Sequence, residues 1–224
     1  MRKIISYPIS EKSPGWPGNP TYRTEQVTDI KKGDSANTYM IHLFNHFGTH
    51  LDAPLHFYEK GLPVCQLPID EFIYEKPLLL DIPKQAGEKI LAEELASYEE
   101  ELKTCDLLMI RTGFSKMRAE NPQLYAQNGP AVSSGAARYL MENYAGQIKA
   151  LALDFISLAS YSDCVDGDQA HRYLCGKFHT GHICIIEDVN MDGLDGDGIC
   201  RAQAIPLYLE GVDSSPVTMW VDME

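Results

Sequence analysis

The residues of this chain that are best suited to chemistry stand close together in one short segment. Between positions 46 and 56 the sequence holds three histidines, His46, His50 and His56, and one carboxylate, Asp52. Imidazole and carboxylate groups are the ligands that zinc and neighbouring divalent ions take in proteins. A set of His46, His50 and Asp52 would leave one coordination position open for water, which is the pattern of a catalytic metal site. The segment therefore predicts a metal centre that activates water.

The chain must bend between His46 and His50 if both are to reach one ion. A helix would place them on one face, as in the His-Glu-x-x-His motif of zinc proteases, but that glutamate is absent and Gly48 disfavours a helix. In an extended strand the two residues would lie about 13 Å apart, at about 3.3 Å per residue, which is too far for two metal bonds of about 2 Å. Gly48 permits the bend because glycine tolerates backbone angles that are closed to other residues.

Beyond the bend, the spacing predicts where the other side chains point. His50 and Asp52 are two residues apart and can face the same side of a strand. Pro54 fixes a turn that would bring His56 back toward the same pocket. Asp52 has two carboxylate oxygens and could bridge to a second ion. His56 would then serve as general base or acid, since histidine exchanges protons near neutral pH.

A second group of candidate ligands lies far along the chain, at His171, His179, His182 and Glu187. Glu187 ends an apolar run, where an unpaired carboxylate would be costly. A strand end that opens into a site would explain it, and so would a salt bridge. One of the three histidines together with Glu187 could complete a site for a second ion, and spacing alone does not choose among them.

The elements that must position these residues form a mixed pattern. Apolar runs typical of strands alternate with helical periodicity through the middle of the chain, and strands dominate both ends. This pattern is typical of an α/β protein, and we expect residues 1–224 to form a single domain. Strands are predicted at 38–47, 77–82, 105–112, 148–155 and 182–189, and helices at 87–102 and from Ser133 or Ser134 to about Tyr144.

The composition excludes several classes of function. The chain has 19 Lys and Arg against 32 Asp and Glu, a net charge of −13, and so should repel nucleic-acid backbones and anionic membrane surfaces. No apolar run approaches the roughly 20 residues of a membrane span, and the N-terminus does not read as a signal peptide. The six cysteines form no Cys-x-x-Cys pair. We therefore expect a cytoplasmic protein with free thiols.

Two acidic segments are predicted to carry no site. Residues 188–193 begin like an EF-hand calcium loop, but Ile199 stands where that loop needs a glutamate, so we expect an acidic turn. Residues 163–168 are expected to form a solvated loop.

The segment from His46 to Phe57, which reads His-x-Gly-Thr-His-x-Asp-Ala-Pro-x-His-Phe, resembles the signature of the cyclase family of metal-dependent hydrolases. That family includes bacterial kynurenine formamidase (arylformamidase) and isatin hydrolase. Weaker similarities to family motifs occur at Trp16-Pro-Gly-Asn, at 152–160, at His171-Arg-Tyr-Leu, at Ile185-Ile-Glu-Asp and at 206–216.

The resemblance implies a swivelling β/β/α fold, a homodimer or homotetramer, and hydrolysis of a C–N amide bond with zinc, in one or two ions, or with manganese. The interval from His171 to Glu187 is longer than in the formamidases, which leaves His179 and His182 open for the second metal. The resemblance implies that His46, His50 and Asp52 bind the first metal, that Asp52 bridges the two ions, and that His171 binds the second metal. It also implies that Glu187 contacts both metals, that His56 transfers protons, and that Trp16 forms a wall of the substrate pocket.

The expected substrate is a small aryl amide, with N-formylkynurenine first, because Trp16 could stack on its ring. Such a reaction would belong to tryptophan breakdown. Opening of a cyclic amide such as isatin is the alternative within the family. Asn19 and Ala152 replace an aspartate and a glycine of the family pattern, and both could shape the pocket. Two alternatives to hydrolase activity are a protein that binds a metal and a ligand without catalysis and a protein whose metal site is purely structural.

Overall fold

The computed structural model describes all residues, 1–224, and contains thirteen strands and six α-helices. The strands are β1 (Arg2–Ile4), β2 (Arg23–Thr28), β3 (Thr38–His42), β4 (His50–Asp52), β5 (Ile73–Tyr74), β6 (Pro77–Asp81), β7 (Lys89–Ile90), β8 (Leu107–Arg111), β9 (Ala131–Val132), β10 (Ala150–Leu153), β11 (Cys184–Glu187), β12 (Ile199–Pro206) and β13 (Ser214–Met223). The helices are α1 (Ala92–Ala96), α2 (Glu99–Leu102), α3 (Met117–Glu120), α4 (Pro122–Gln127), α5 (Ser134–Tyr144) and α6 (Cys164–Leu174).

One nine-stranded sheet organises the chain. Its order is β5-β12-β13-β4-β11-β10-β8-β6, and β1 pairs with the outer part of β13. Strands β6, β8, β10 and β11 are parallel, whereas β4 runs antiparallel to both of its neighbours, β11 and β13. The sheet includes strands from both ends of the chain, and on this ground we propose that residues 1–224 form one domain.

The central strands of the sheet are buried on both faces. Strands β8, β10 and β11 are almost entirely inaccessible to solvent, so their alternating side chains serve two separate cores. One core holds Leu108 and Ile110 with the apolar sides of α5 and α6. The other holds Leu107 and Met109 beneath the long antiparallel pair β12–β13. The predicted mixed α/β pattern is thereby confirmed.

Several predicted elements match their sequence signals. Ser133 caps α5, where its hydroxyl accepts the N–H of Ala136, and Gly146 follows the helix end with a φ of 88°. The predicted strands at 77–82, 105–112, 148–155 and 182–189 correspond to β6, β8, β10 and β11.

Three predicted elements are wrong in extent or type. The strand predicted at 38–47 ends at His42, because 38–42 pair only with β2 in an exposed hairpin, whereas Phe47 turns into the core. The helix predicted at 87–102 is replaced by β7, α1 and α2, since Ile90 joins a strand pair with β9. The predicted solvated loop at 163–168 is largely the first turn of α6.

No helix of the structure combines the length and the apolar composition that crossing a membrane requires. The cytoplasmic location stays a prediction.

Helix α6 lies very close to the segment that follows β10, and Gly167 makes this approach feasible. A Cβ built on Gly167 would lie 2.2 Å from Cβ of Ala159 and 2.7 Å from its Cα. We expect Gly167→Ala to destabilise the protein by about 1–3 kcal/mol, because α6 must shift away from the sheet. Urea unfolding followed by circular dichroism measures this change.

Gly135 in α5 offers the matched control. A Cβ at Gly135 would meet only the Ser133 hydroxyl, at 3.8 Å. Gly135→Ala should leave stability unchanged or raise it by up to about 1 kcal/mol, as alanine favours a helix. Equal effects of the two substitutions would contradict the close contact at Gly167.

Candidate metal centre

The predicted bend is present at Gly48. Its φ is 69°, and a Cβ there would lie 3.0 Å from Cγ1 of Ile9, so both conformation and space favour glycine. The chain then enters β4, on which His50 and Asp52 face the same side. Strand β4 places His50 opposite Glu187 of β11.

Asp52 lies at the centre of the first half of the cluster. Its carboxylate oxygens are 3.0 Å from Nδ1 of His46, 3.5 Å from Nε2 of His50 and 3.8 Å from Nε2 of His56. Asp52 is only 1% exposed. A short 3₁₀ turn, Pro54–His56, returns His56 to this position, as the proline predicts.

Glu187 organises the second half of the cluster. Its carboxylate lies 3.3 Å from Nε2 of His50 and 3.6 Å from Nε2 of His171. The hydroxyl of Ser157 and the N–H of Leu158 donate to Oε1 of Glu187, at 3.0 and 2.6 Å. These bonds fix one carboxylate oxygen and the orientation of the group.

The two fully buried histidines of the cluster are oriented by backbone carbonyls. Nδ1 of His50 donates to the carbonyl of Gly48 and Nδ1 of His171 to that of Gly167, each at 2.8 Å. Nε2 of each ring is thereby turned toward the carboxylates. This arrangement, with the second ring nitrogen fixed by the protein, is typical of histidines that bind metals.

Only one of the three distant histidines reaches the cluster. His171, on α6, does so, whereas His179 is exposed and bonds to the carbonyl of Thr180. Nε2 of His182 is 3.9 Å from the carboxylate of Glu71 instead. Residues 175–183 form a loop between α6 and β11, and this loop holds His179 and His182 away from the cluster.

The donor set fits a divalent cation. Nε2 of His50 and both carboxylate oxygens of Asp52 are buried and make no hydrogen bond of good geometry. Buried polar atoms without partners are costly, and a cation would satisfy all three. Two triads have ligand atoms within 4.8 Å of one another, namely His46–Asp52–His56 and His50–Asp52–Glu187, and they share Asp52.

Sequence reasoning missed Asp213, the residue before β13. One of its oxygens accepts from Nε2 of His46 at 3.0 Å and from Nδ1 of His56 at 2.8 Å. The other oxygen accepts the side-chain amide of Asn45. The only signal for it in the sequence is its position inside the segment 206–216, which resembles a family motif but assigns no role to the aspartate.

The cluster is strongly ionised. Burial alone would lower the pKa of His46, but the charge of Asp52 and the hydrogen bond to Asp213 outweigh it and raise that pKa to about 10. The pKa values of His50 and His171 are also raised despite burial, by Asp52 and Glu187. Burial opposes ionisation of Glu187, yet the bonds from His171 and His50 lower its pKa to about 2.

The pKa values of the two aspartates at this site, Asp52 and Asp213, are both lowered. The pKa of Asp52 lies well below its usual range because the charges of His56, His50 and His46 outweigh its burial. The hydrogen bonds from His46 and His56 lower the pKa of Asp213 in the same way. The carboxylates are therefore charged at neutral pH and are available to a cation.

The cluster forms one wall of a cavity of about 420 Å³. Apolar and aromatic side chains form other parts of its wall, including Trp16, Phe44, Phe57 and Ile156. Trp16 meets Tyr161 edge-on, with ring centroids 5.6 Å apart. Phe57 stacks on His171, with centroids 4.5 Å apart. Trp16 is therefore in the same cavity as the ionisable cluster.

Sequence comparisons identify the family. The model of the Cyclase family, described as "Putative cyclase", matches residues 4–160. A kynurenine formamidase of Bacillus cereus is 29% identical over 214 residues, which cover 95% of this chain and 93% of the relative. An uncharacterized protein of Haemophilus influenzae is 38% identical over 119 residues, 53% of this chain and 84% of that protein.

Solved structures share the fold. Isatin hydrolase A from Labrenzia aggregata superimposes with a TM-score of 0.83 at 20% identity, over 100% of this chain and 94% of the other. A structure described as a potential metal-dependent hydrolase with cyclase activity gives a TM-score of 0.75 at 23% identity, over 100% and 98%. The expected swivelling β/β/α fold is thereby confirmed.

The protonated state of His46 predicts that metal binding releases protons. At pH 7 its imidazole carries a proton when no metal is bound, because its pKa is about 10, and a metal ligand must be neutral. Metal affinity should therefore rise with pH toward about 10. Calorimetric titration with zinc at pH 7 in two buffers of different ionisation enthalpy measures the number of protons released.

We expect at least one proton per bound ion. The His42→Ala variant serves as control and should release the same number, since His42 lies in the hairpin and contacts Glu25. Identical heats in both buffers would contradict the ionisation state derived for the cluster.

Proposed function

The chain belongs to the Cyclase family, and from that premise we propose that it is a metal-dependent hydrolase of a C–N amide bond. The observation that carries the proposal is the buried carboxylate of Asp52, whose two oxygens lack hydrogen bonds while three imidazoles surround it at the wall of a cavity. A purely structural metal site would not need an adjoining cavity of about 420 Å³ with aromatic walls.

The proposed metal ligands are the members of the cluster other than His56, to which we assign proton transfer. In Glu187, the oxygen held by Ser157 and Leu158 would fix the orientation of the other carboxylate oxygen. A bound divalent ion supplies Lewis acidity, which lowers the pKa of water and polarises a carbonyl group. Zinc, in one or two ions, is the first choice, and manganese is the alternative. The proposed ligands are His46, His50, Asp52, His171 and Glu187.

His56 is the proposed proton-transfer residue. Nδ1 of its ring donates to Asp213 at 2.8 Å, which places the proton of the neutral ring on Nδ1 and leaves Nε2 to exchange protons. His56 also lines the cavity. Asp213 would hold the ring in this orientation and stabilise it when it is charged. The carboxylate of Asp213 thus links the proposed ligand His46 to the proposed acid–base residue.

The proposed substrate is a small aryl amide, with N-formylkynurenine as the first candidate. Trp16, Phe44 and Phe57 offer ring faces and edges to an aromatic group in the cavity. The kynurenine formamidase of Bacillus cereus, similar along nearly the whole chain, supports this choice. The fold similarity to isatin hydrolase A supports a cyclic amide as the second candidate.

We expect metal-stripped protein to lack N-formylkynurenine hydrolysis and zinc or manganese to restore it. His56→Ala should lower kcat by about 10²- to 10⁴-fold, since general acid–base groups contribute that much. The release of kynurenine, followed by absorbance, measures both effects. His179→Ala is the matched control and should retain wild-type turnover, because His179 lies outside the cluster.

Unchanged turnover in the His56→Ala variant would remove His56 from the mechanism. A protein that binds either metal but hydrolyses neither N-formylkynurenine nor isatin would contradict amide hydrolysis and favour a ligand-binding role. If chelation unfolded the chain, the metal site would be structural instead.

We also propose that the chain assembles as a homodimer or homotetramer through the β2–β3 hairpin. The hairpin exposes four large apolar side chains, two of which, Tyr39 and Ile41, lie on one face of β3, and exposed apolar surface of this kind is typical of an interface. A second copy can cover it without a partner of another sequence. The side chains are Val27, Tyr39, Met40 and Ile41, each 54–64% exposed.

Light scattering after size exclusion should give two or four times the chain mass of 25.1 kDa. Tyr39 and Ile41 face the same side of β3, so Tyr39→Lys combined with Ile41→Glu should lower that mass. Leu209→Lys, on another exposed apolar segment, is the control. A monomeric wild-type protein would contradict the assembly.

A further inference from the structure

A closed ring of contacts adjoins the metal cluster, and none of its members is a proposed metal ligand. Its four members are Tyr7, Thr49, Arg118 and Asp188, which come from the N-terminal loop, the residue before β4, helix α3 and the residue after β11. Thr49 precedes the proposed ligand His50, and Asp188 follows the proposed ligand Glu187. The ring therefore touches the cluster at two of its ligands.

The backbone of Asp188 makes the first link. Its φ of 55° is the only positive value outside glycine, so the chain leaves β11 abruptly after Glu187. Its carbonyl accepts the hydroxyl of Thr49 at 2.6 Å, and its N–H donates to the carbonyl of Phe155 at 2.9 Å. Thr49 and Asp188 thus connect β4 to β11 just beyond the pair His50–Glu187.

The side chain of Asp188 makes the second link, and the residue is only 2% exposed. Arg118 holds it with two nitrogens, Nε to Oδ1 at 2.8 Å and Nη2 to Oδ2 at 2.9 Å. The hydroxyl of Tyr125 also donates to Oδ1, at 2.6 Å. The expected acidic turn at 188–193 therefore begins with a buried ion pair instead.

Tyr7 closes the ring. The guanidinium carbon of Arg118 lies 3.9 Å from the centre of the Tyr7 ring, and the N–H of Tyr7 donates to the hydroxyl of Thr49 at 3.0 Å. Each member of the ring thus contacts the next. The contacts also fasten the loop that leads from Tyr7 to Trp16 at the cavity.

Stability alone does not account for this arrangement. Burial of an ion pair carries a desolvation penalty that often cancels its attraction, so the presence of this pair is weak evidence for a role in net stability. Here the geometry that is fixed is the 3.3 Å approach of His50 Nε2 to Glu187 Oε2. Groups that orient metal ligands affect metal affinity strongly, even though they never touch the ion.

We propose that Arg118 and Asp188 are positioning residues that, through Thr49, set the relative placement of His50 and Glu187 and thereby the affinity of the metal centre. This inference rests on the metal centre of the proposed function. It does not depend on which amide is the substrate.

The test compares zinc affinity in variants of two arginines. Arg118→Met removes the ion pair, and we expect zinc to bind about 10- to 100-fold more weakly, as for other residues that orient metal ligands. Competition with a chromophoric chelator at fixed pH measures the affinity. Chemical unfolding of the metal-free proteins measures stability separately.

Arg111→Met is the matched control. Arg111 also holds an aspartate with two nitrogens, Asp81 at 2.6 and 2.8 Å, and donates to the carbonyls of Met191 and Leu194. It makes no contact with the cluster. Loss of Arg111 should lower stability and leave zinc affinity within about twofold of wild type.

Asp188→Asn supplies the second variant, because it keeps the backbone bond to Thr49 and tolerates the left-handed conformation but loses the charge. The Asp188→Asn variant should bind zinc more weakly than wild type. Because both residues act through the same ion pair, the double variant Arg118→Met with Asp188→Asn should lose no more zinc affinity than the weaker-binding single variant. If Arg118→Met does not fold, Asp188→Asn decides by the same criterion.

Two results would overturn the inference. The first is a folded Arg118→Met or Asp188→Asn variant whose zinc affinity stays within twofold of wild type. The second is an equal loss of zinc affinity in the Arg118→Met and Arg111→Met variants. A wild-type protein that binds no zinc or manganese would contradict the proposed function together with this inference. Wild-type binding that the variants leave unchanged would contradict the inference alone.

Discussion

The carboxylate of Asp52 is the constraint around which the site is built. It is buried, neither oxygen makes a hydrogen bond of good geometry, and three imidazoles converge on it. A charged group in such a place is stable only with opposite charge beside it. Protons on the histidines can provide that charge when no metal is bound, and a divalent ion can replace them. The pKa of His46, raised to about 10 by Asp52 and Asp213 against its burial, means that a proton competes with a metal for this ring.

The fold meets the constraint by inserting a very short strand between two longer ones. Strand β4 lies between β11 and β13, and its pairing puts His50 opposite Glu187 and Asp52 opposite Ser214, the neighbour of Asp213. Helix α6 adds His171, whose Nε2 lies 3.6 Å from the carboxylate of Glu187. Two buried cores flank the sheet, so the cluster is held by packing as well as by hydrogen bonds. Trp16 and other residues of its loop line the cavity beside the cluster.

The features that sequence reasoning could reach are local ones. The bend at Gly48, the common face of His50 and Asp52 and the turn at Pro54 each follow from the conformational limits of a few adjacent residues. His171 could not be separated from His179 and His182, because that choice depends on where α6 ends and how it packs. Asp213 was missed because it meets His46 across 167 positions, and Arg118 meets Asp188 across 70. No spacing rule connects residues so far apart, and an arginine or aspartate in a loop is ordinarily solvated.

X-ray absorption at the zinc edge of the zinc-loaded protein tests the central claim, that histidine and carboxylate side chains around Asp52 hold a metal ion. Cys164 lines the same cavity, so a sulfur ligand is a genuine competitor. We expect a first shell of nitrogen and oxygen alone, at about 2.0–2.2 Å, with the outer-shell scattering of imidazole rings. A sulfur shell at about 2.3 Å, or protein that retains no zinc, would contradict the claim.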